Sequence, residues 1–452
     1  MTGKVLKSDL ILSGRDFYSL YGRKKTVAAY TLGCKVNAYD TQAAIDILKN
    51  EGDFDIVPFD SKADVYIINT CTVTNLSDRK SRQMIHKAKK QNENALIICM
   101  GCYAQRNPET LINDLGIDIV LGNKNRKDIL KYIYESADKG HINAVLNIDT
   151  DREFEDIDIK SYGDRSRAFI KIEEGCDQFC TYCIIPFARG RVRSRTIESI
   201  LEQSKRLADE GYKEVVLTGI NLSWYGKDTK EKLSEVILKI NEIKGLERIR
   251  IGSIEPGIFS EEFLSDISKA QKLCDHFHIS LQSGSDTVLD RMHRGYSSKD
   301  YKTEIDNIRK YFKYAGITTD VMTGFPGETE KEFEQTCEFV KEVGFSRLHV
   351  FPYSIREGTK AAKMEGQIAA SVKKARASRL IEIGHELERD FTQKNLGLIN
   401  NVLYEQINSD IIEGYSTNYI RVYTKGDKED LYKVIPTKLT EIKNNICYGK
   451  IK

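Results

Sequence analysis

Three cysteines stand close together in the stretch GCDQFCTYC, which runs from Gly175 to Cys183. Cys176, Cys180 and Cys183 could hold zinc, join a disulfide framework or bind an iron–sulfur cluster. Structural zinc takes four tight ligands, and neither a fourth cysteine nor a histidine at zinc-finger spacing is adjacent. A [4Fe–4S] cluster ordinarily takes four thiolates, so three cysteines would leave one iron open to an external ligand.

A second set of cysteines follows three predicted strands near the start of the chain. Cys34 ends TLGC, Cys71 ends INTC and Cys102 ends CMGC. Parallel strands present their carboxyl ends at one edge of a sheet, so these thiols can converge on a shared metal site. The alternative is that each is a small buried hydrophobe, as free cysteines commonly are. We call Cys34, Cys71 and Cys102 the N-terminal trio, and Cys176, Cys180 and Cys183 the central trio.

The other four cysteines are predicted to be core residues. Strand alternation turns Cys99 away from Cys102, because the two lie three residues apart in one strand. No partner stands at ligand spacing from Cys274, Cys337 or Cys447.

Bulk composition narrows the setting of this chemistry. The 452 residues suffice for two or three domains, and 69 basic against 67 acidic residues create no global field for nucleic acid or membrane. No apolar run is long enough to span a membrane, and the first 25 residues lack a signal-peptide core. We therefore expect a cytoplasmic protein, where disulfides are rare and clustered cysteines more often hold metals.

Hydrophobic periodicity predicts an α/β protein that ends in a small β domain. Short apolar strands alternate with amphipathic helices, first over 26–138 and again over 167–360, where six strands in a row fit an incomplete (βα)6 barrel. After about residue 385 the pattern favours a mostly antiparallel β domain. The predicted units are an N-terminal extension (1–25), a parallel α/β domain (26–140), a linker broken by Gly163 (141–166), the barrel (167–384) and the β domain (385–452).

These motifs together resemble a known family. The central trio lies in the loop after the first barrel strand, within RAFIKIEEGCDQFCTYCIIPFARGRVRSR, and VVLTGINLSWYG, GSIEP and HISLQSGSDTVLDRMHRGY follow. With TLGCKVNAYDT, NTCTVT and GCYAQ around the N-terminal trio, the chain resembles the methylthiotransferase branch of the radical S-adenosylmethionine (SAM) enzymes. The last block is similar to the TRAM domain, a small RNA-binding β-barrel.

The resemblance implies two [4Fe–4S] clusters and SAM as cofactors. The central trio would hold the cluster that binds SAM and generates a radical, and the N-terminal trio would hold the sulfur to be transferred. An electron donor such as a flavodoxin or ferredoxin is implied, while the sulfur source stays open. Residues at the ends of barrel strands could line the SAM pocket or serve only as turn residues: Thr218, Gly219, Glu255, Gln282, Ser283, Thr323 and Gly324.

Two features bear on the substrate. Arg189, Arg191, Arg193 and Arg195 alternate in RGRVRSR, so an extended segment would project all four to one side, towards RNA phosphate or cofactor. Tyrosines of the last block could stack on bases or could be strand core.

The segment LGCKVN around Lys35 resembles the branch acting on N6-threonylcarbamoyladenosine next to the anticodon of tRNA. The resemblance implies conversion of this nucleoside to its 2-methylthio derivative. Alternatives are the same chemistry on isopentenyladenosine or on a ribosomal-protein residue. A non-catalytic iron–sulfur electron carrier or RNA-binding regulator is the alternative from another class, and a zinc or structural role stays open for the N-terminal trio.

Overall fold

Three domains follow one another in the computed structural model, which describes residues 4–157, 159–160, 162 and 166–452. The N-terminal domain is a six-stranded parallel sheet of order β2-β1-β3-β4-β5-β6. The three strands predicted to precede Cys34, Cys71 and Cys102 are confirmed as β1, β3 and β4. The strands are β1 (Lys25–Thr31), β2 (Phe54–Ile56), β3 (Val65–Thr70), β4 (Leu96–Gly101), β5 (Ile119–Val120) and β6 (Ile142–Asn143), and the helices are α1 (Gly14–Tyr21), α2 (Lys35–Asn50), α3 (Asn75–Gln91), α4 (Cys102–Arg106), α5 (Pro108–Asn113) and α6 (Ile129–Lys139).

The central domain is an open βα barrel, and all six predicted strands are confirmed. Its two sheets have the orders β11-β10-β7 and β12-β13-β14-β15, and every pairing within them is parallel. The short strands β8 and β9 form a separate antiparallel pair. The strands are β7 (Arg167–Lys171), β8 (Glu173–Glu174), β9 (Arg193–Ser194), β10 (Glu214–Thr218), β11 (Arg248–Ile251), β12 (Ser253–Ile254), β13 (His276–Ile279), β14 (Gly316–Thr323) and β15 (Arg347–Pro352), and the helices are α7 (Ile185–Arg189), α8 (Ile197–Asp209), α9 (Leu233–Asn241), α10 (Glu261–Ile267), α11 (Asp286–Arg291), α12 (Ser298–Tyr311), α13 (Glu330–Val343) and α14 (Ala370–Asn395).

Strand alternation gives the barrel two unlike faces. Ile170, Leu217 and Ile251 belong to the hydrophobic core that the surrounding helices cover. The residues between them on each strand therefore face the interior of the open barrel, which we call the lumen. Strands β7 and β15 are the edge strands of the two sheets. Helix α2 of the N-terminal domain packs against β7, and α14 packs against β15.

The C-terminal domain is a closed five-stranded barrel, which confirms the predicted small β domain. Its order is β16-β17-β18-β20-β19, with a parallel pair between β18 and β20 and antiparallel pairs elsewhere. Helix α14 runs unbroken through the predicted boundary at 384/385 and joins the two barrels as one rod. The strands are β16 (Ile399–Asn408), β17 (Ile411–Tyr415), β18 (Arg421–Lys425), β19 (Val434–Lys443) and β20 (Ile446–Ile451).

Two segments that looked peripheral in the sequence are packed into the fold. Leu10 and Phe17 of the extension are buried in the main core, against which α6 also packs. In the described part of 141–166, Ile157, Ile159 and Tyr162 join the same core, while Gly163 lies outside the described residues. This segment is therefore a packed connection. None of the described helices combines the length and apolar character that a membrane crossing requires.

Candidate active site

The N-terminal trio gathers at one edge of the parallel sheet. Cys34 precedes α2 after β1, Cys71 follows β3, and Cys102 opens α4 directly after β4. These three strands are neighbours, so their carboxyl ends stand side by side. The loop before Cys34 lies on Cys71, because a Cβ at Gly33 would stand 3.1 Å from the Cys71 Sγ.

The pKa of Cys102 also reflects the proximity of the three thiols, because it depends on the charges of the other two. The pKa of the Cys102 thiol is raised to about 11, chiefly by burial and in part by negative charge on Cys34 and Cys71. Arg189 opposes this, since its Nε donates a hydrogen bond to the Cys102 Sγ over 3.3 Å. A buried guanidinium beside the sulfur favours the thiolate, which is the form that binds metal.

Arg189 is also part of a buried ionic network that joins the N-terminal domain to the barrel. It donates to Glu174 and lies 3.3 Å from Asp40. The same two carboxylates accept from Lys171, over 2.8 Å for Glu174 and 2.7 Å for Asp40, and Asp40 accepts from Arg126 over 2.7 Å. Removing one member of a buried ion pair typically costs about 3–5 kcal/mol because its partner is left uncompensated. The network therefore fixes the cysteines of one domain relative to those of the other.

The central trio occupies the loop between β8 and α7. The Cys176 N–H donates to the Gly190 carbonyl and the Cys183 N–H to the Cys180 carbonyl, each over 3.0 Å. Gly175 has φ +87°, and a Cβ there would overlap the Arg191 carbonyl, so the loop needs glycine at this position.

Arg294 serves the central trio as Arg189 serves the N-terminal one. Its Nη1 donates to the Cys180 Sγ over 3.3 Å, and its Nη2 donates to the Glu255 carboxylate and, over 3.1 Å, to the Ser280 carbonyl. Burial raises the pKa of Cys180, and Arg294 lowers it. Burial also raises the pKa of Cys176 to about 12. Each trio thus has one guanidinium donating to one of its sulfurs.

The state of the cysteines is consistent with cluster ligands. All ten cysteines, which lie within the described residues, are free of disulfides. In that part of the chain, no three His, Cys, Asp or Glu side chains surround one point as ligands of a single metal ion do. Three cysteines with a cationic donor to sulfur form a donor set that fits a [4Fe–4S] cluster, whose properties depend on hydrogen bonds to its sulfurs.

Four of the residues predicted for the SAM pocket lie at the ends of β10, β12 and β13 or within three residues after them. Gly219 follows Thr218 at the end of β10, and a Cβ there would stand 2.6 Å from the Glu173 Oε2. Glu255 accepts from Arg294. Gln282 has φ +69°, is buried, and its Oε1 lacks a partner among the described residues. A buried carbonyl without a donor is an available acceptor for a bound ligand.

The other three predicted pocket residues bond to α13, to α14 and to the loop before α13. Ser283 Oγ lies 3.2 Å from Thr336 Oγ1, and Thr323 donates to the Lys373 carbonyl over 3.2 Å. The Gly324 N–H donates to Glu328 over 2.7 Å. These contacts hold the ends of the strands against the surrounding helices and loop.

The four arginines of RGRVRSR do not project to one side, which corrects the sequence prediction. Arg189, Arg193 and Arg195 are buried, and only Arg191 of the four is exposed. The segment is not a single extended strand, because Arg189 ends α7, Gly190 has φ +74° and β9 begins only at Arg193. The buried guanidiniums pair with groups inside the protein; for example, Arg195 lies 2.7 Å from the Asp156 carboxylate.

Besides Arg294, sequence reasoning missed two residues that support the cysteine loops. Asn221 donates towards the Cys176 Sγ over 4.0 Å, and its N–H donates to Glu173. Arg356 clamps the loop after Cys71, donating over 2.7 Å to each of three side chains, which are Thr72, Asn75 and Asp78. The partners of Arg356 lie some 280 residues away, so no local pattern could have indicated it.

Comparison with known proteins defines the class of the chain. The Radical SAM superfamily model matches residues 170–340, and the model described as Uncharacterized protein family UPF0004 matches 26–122. Among solved structures, the radical SAM methyltransferase TsrM from Kitasatospora setae superposes with a TM-score of 0.56 at 14% identity, covering 75% of this chain and 77% of that one. This likeness concerns the fold alone. The fold and the cysteine loop are those of a radical SAM protein.

Relatives along almost the whole length define the family. The threonylcarbamoyladenosine tRNA methylthiotransferase MtaB of Bacillus subtilis strain 168 is 42% identical over 92% of this chain and 93% of its own. The protein of the same name from Aquifex aeolicus is 40% identical over 89% of this chain and 97% of its own. A tRNA-2-methylthio-N(6)-dimethylallyladenosine synthase from Finegoldia magna is 33% identical over 96% of both chains. The chain belongs to the radical SAM methylthiotransferase family.

Proposed function

We propose that this protein is a tRNA methylthiotransferase that converts N6-threonylcarbamoyladenosine next to the anticodon to its 2-methylthio derivative. The observation that carries the proposal is the 42% identity to the Bacillus subtilis enzyme over 92% of the chain. The dimethylallyladenosine synthase of Finegoldia magna has lower identity, at 33%. Action on a dimethylallyl-type adenosine is therefore the second candidate function.

We propose that the central trio holds a [4Fe–4S] cluster with SAM and that the N-terminal trio holds a second [4Fe–4S] cluster. When bound, these groups would supply a radical that can remove hydrogen from an unactivated carbon, and the sulfur to be transferred. Arg294 and Arg189 would keep one sulfur of each trio in a cationic environment, as their hydrogen bonds to Cys180 and Cys102 suggest.

The protein's own part is to position the groups and keep out water. The ionic network around Asp40 and Glu174 ties the N-terminal sheet edge to the barrel. Arg356 ties the Cys71 loop to the far side of the barrel. Thr218, Gly219, Glu255 and Gln282 are proposed to line the SAM pocket, whereas Ser283, Thr323 and Gly324 are proposed to hold the strand ends.

RNA contact is proposed for the exposed Arg191 and for the C-terminal barrel. Tyr415 and Tyr419 are weaker candidates for base stacking, since they stack on each other at 4.8 Å and Tyr419 stacks on His276 at 4.4 Å. The electron donor is proposed to be a flavodoxin or ferredoxin, and the site of action the cytoplasm.

Nucleoside mass spectrometry tests the proposed substrate. A strain lacking the gene should lose the methylthiolated threonylcarbamoyladenosine peak and keep its unmethylthiolated precursor. Reconstituted protein should restore the peak in vitro on tRNA from that strain. Loss of the methylthiolated dimethylallyl-type nucleoside instead would favour the second candidate function. If the strain keeps both methylthiolated nucleosides and the protein is inactive in vitro, both candidate functions are contradicted.

A further inference from the structure

The lumen of the barrel is lined with polar and charged side chains rather than with a hydrocarbon core. Arg250 of β11 and Glu214 of β10 meet over 3.0 Å inside it. On the opposite sheet, His278 Nε2 lies 3.3 Å from Asp320 Oδ2, and the His278 and His349 rings are 5.6 Å apart. A polar lumen with an open side is suited to a polar ligand.

Lys35 belongs to the helix of the N-terminal domain that packs against the first barrel strand. It is the first residue of this helix, α2, and it directly follows Cys34. Lys35 is exposed to solvent, yet burial among protein atoms lowers the pKa of its ammonium, and the charges of Arg250 and Arg167 lower it further. Access to water combined with surrounding protein is expected of a side chain inside a water-filled cleft. The charge of Lys35 also lowers the pKa values of His276 and His349, which face the lumen.

The negative charges that act on Lys35 are those of Glu214 and of the adjacent Cys34, which is itself proposed to be a cluster ligand. In the described part of the chain its ammonium has neither a hydrogen bond nor an ion pair. The carboxylate of Glu214 is already shared by three guanidiniums, those of Arg248 over 2.7 Å, Arg250 over 3.0 Å and Arg167 over 3.8 Å.

The other groups facing Lys35 do not alter this balance. Asp320 lies beside His278, and Arg167 is paired with Glu405. Burial lowers the pKa values of His276 and His349, so both imidazoles are neutral at pH 7. By contrast Lys171, which α2 also contacts, is fully buried and bonded to both Asp40 and Glu174. Lys35 is thus an exposed cation next to the N-terminal trio that has no hydrogen-bonded or ion-paired anion among the described residues.

We propose that Lys35 binds the carboxylate of the threonylcarbamoyl group of the substrate nucleoside and thereby selects it over apolar N6 substituents. This inference rests on the proposed function. A threonyl group carries a carboxylate, whereas a dimethylallyl group is apolar. Carbons 2 and 6 of adenine both flank N1, so an adenine whose carbon 2 faces the N-terminal trio carries its N6 substituent close to the trio, and Lys35 directly follows Cys34 of that trio. An apolar substituent would desolvate Lys35 without pairing it, and such unpaired polar groups reject a ligand strongly.

Binding of synthetic anticodon stem-loop RNAs tests the proposal. The RNAs carry threonylcarbamoyladenosine as the free acid, the same nucleoside as its neutral methyl ester, or unmodified adenosine. Fluorescence anisotropy with anaerobically reconstituted holoenzyme should show that wild type prefers the acid to the ester by about 10- to 100-fold, the range for a hydrogen bond to a charged group. Lys35→Gln should bind acid and ester alike, while Lys35→Arg should retain part of the preference.

Lys49→Gln is the matched control, because it removes the same charge from the exposed far end of α2. It should keep the wild-type preference. Iron and sulfide contents of all variants are measured, and equal affinities for the unmodified RNA show that the Lys35 variants still fold and bind.

The outcomes separate the inference from the proposed function. An undiminished preference for the acid in Lys35→Gln, or no preference in wild type, would overturn the inference. Failure of wild type to form the methylthio product from the acid RNA would overturn the proposed function instead. Product formation together with an acid preference that depends on Lys35 supports both.

Discussion

The Arg189 Nε lies 3.3 Å from the Cys102 Sγ, and the same guanidinium donates to Glu174 on the barrel side of the domain interface. One arginine thus touches a cysteine of the N-terminal trio and the network that anchors the barrel. The corresponding relationship in the central trio joins Arg294 to Cys180, also over 3.3 Å. Both arginines were invisible as cysteine partners in the sequence, because each is remote from its sulfur along the chain.

Replacement of Arg189 should damage the N-terminal trio selectively. Arg189→Lys loses the bond to sulfur and weakens the buried pairs with Glu174 and Asp40, at a cost of about 3 kcal/mol. We expect the iron content of the reconstituted protein to fall by about half, from roughly eight towards four per chain. Arg191→Lys, at the exposed position two residues on, should keep the wild-type iron content. Equal iron in both variants would contradict the assigned role.

Replacement of Arg294 should affect SAM cleavage instead. Arg294→Gln removes the donor to Cys180 and leaves the buried Glu255 carboxyl without its cation. We expect reductive cleavage of SAM, measured as 5′-deoxyadenosine, to fall by about 100-fold, equivalent to about 2.7 kcal/mol. Arg379→Gln breaks an ion pair on the protein surface and should have no such effect. Cleavage at the wild-type rate in Arg294→Gln would show that the bond to Cys180 is dispensable.

Loss of the Arg356 clamp should uncouple the two halves of the reaction. Arg356→Ala frees the Cys71 loop from Thr72, Asn75 and Asp78 without touching the central trio. SAM cleavage should therefore persist, whereas methylthio product should fall about tenfold or more, because displacement of a reacting group lowers the rate sharply. The ratio of product to 5′-deoxyadenosine is the measurement. A ratio equal to that of wild type would contradict the proposed positioning role.

The junction between the two barrels should weaken in acid. Burial alone would raise the pKa of Glu214, but Arg248, Arg250 and Arg167 lower it to about 2. Because the folded-state pKa lies below the ordinary glutamate value of 4.5, this stabilisation is complete above about pH 4.5 and is lost as pH falls towards 2. The loss amounts to about 3 kcal/mol.

Urea unfolding of the cluster-free protein between pH 3 and pH 7 measures this dependence. Arg248 also donates to the Tyr415 carbonyl over 2.8 Å, so Glu214→Gln should loosen the C-terminal barrel as well. The variant should be less stable at pH 7 and should lose less stability on acidification. Parallel pH profiles for variant and wild type would contradict the prediction.

The sequence predicted the elements that depend on local pattern. All six main barrel strands and the strand-end placement of both trios follow from hydrophobic periodicity and from the position of cysteine after each apolar run. The sequence could not predict the environment of each charged side chain, since burial of Arg193 and Arg195 depends on partners brought together by the fold. Lys35 illustrates the limit, because the sequence shows an ordinary helix-start residue and not the charges of Arg250 and Arg167 that the fold brings near it.

The central claim is that two separate trios each hold one cluster, and an anaerobic iron and sulfide count tests it most directly. Wild type should contain about eight irons per chain after reconstitution, and Cys34→Ala should contain about four while still cleaving SAM. The matched variant Cys99→Ala removes a buried cysteine of the neighbouring core and should keep about eight. About four irons in wild type, unchanged in Cys34→Ala, would contradict the account.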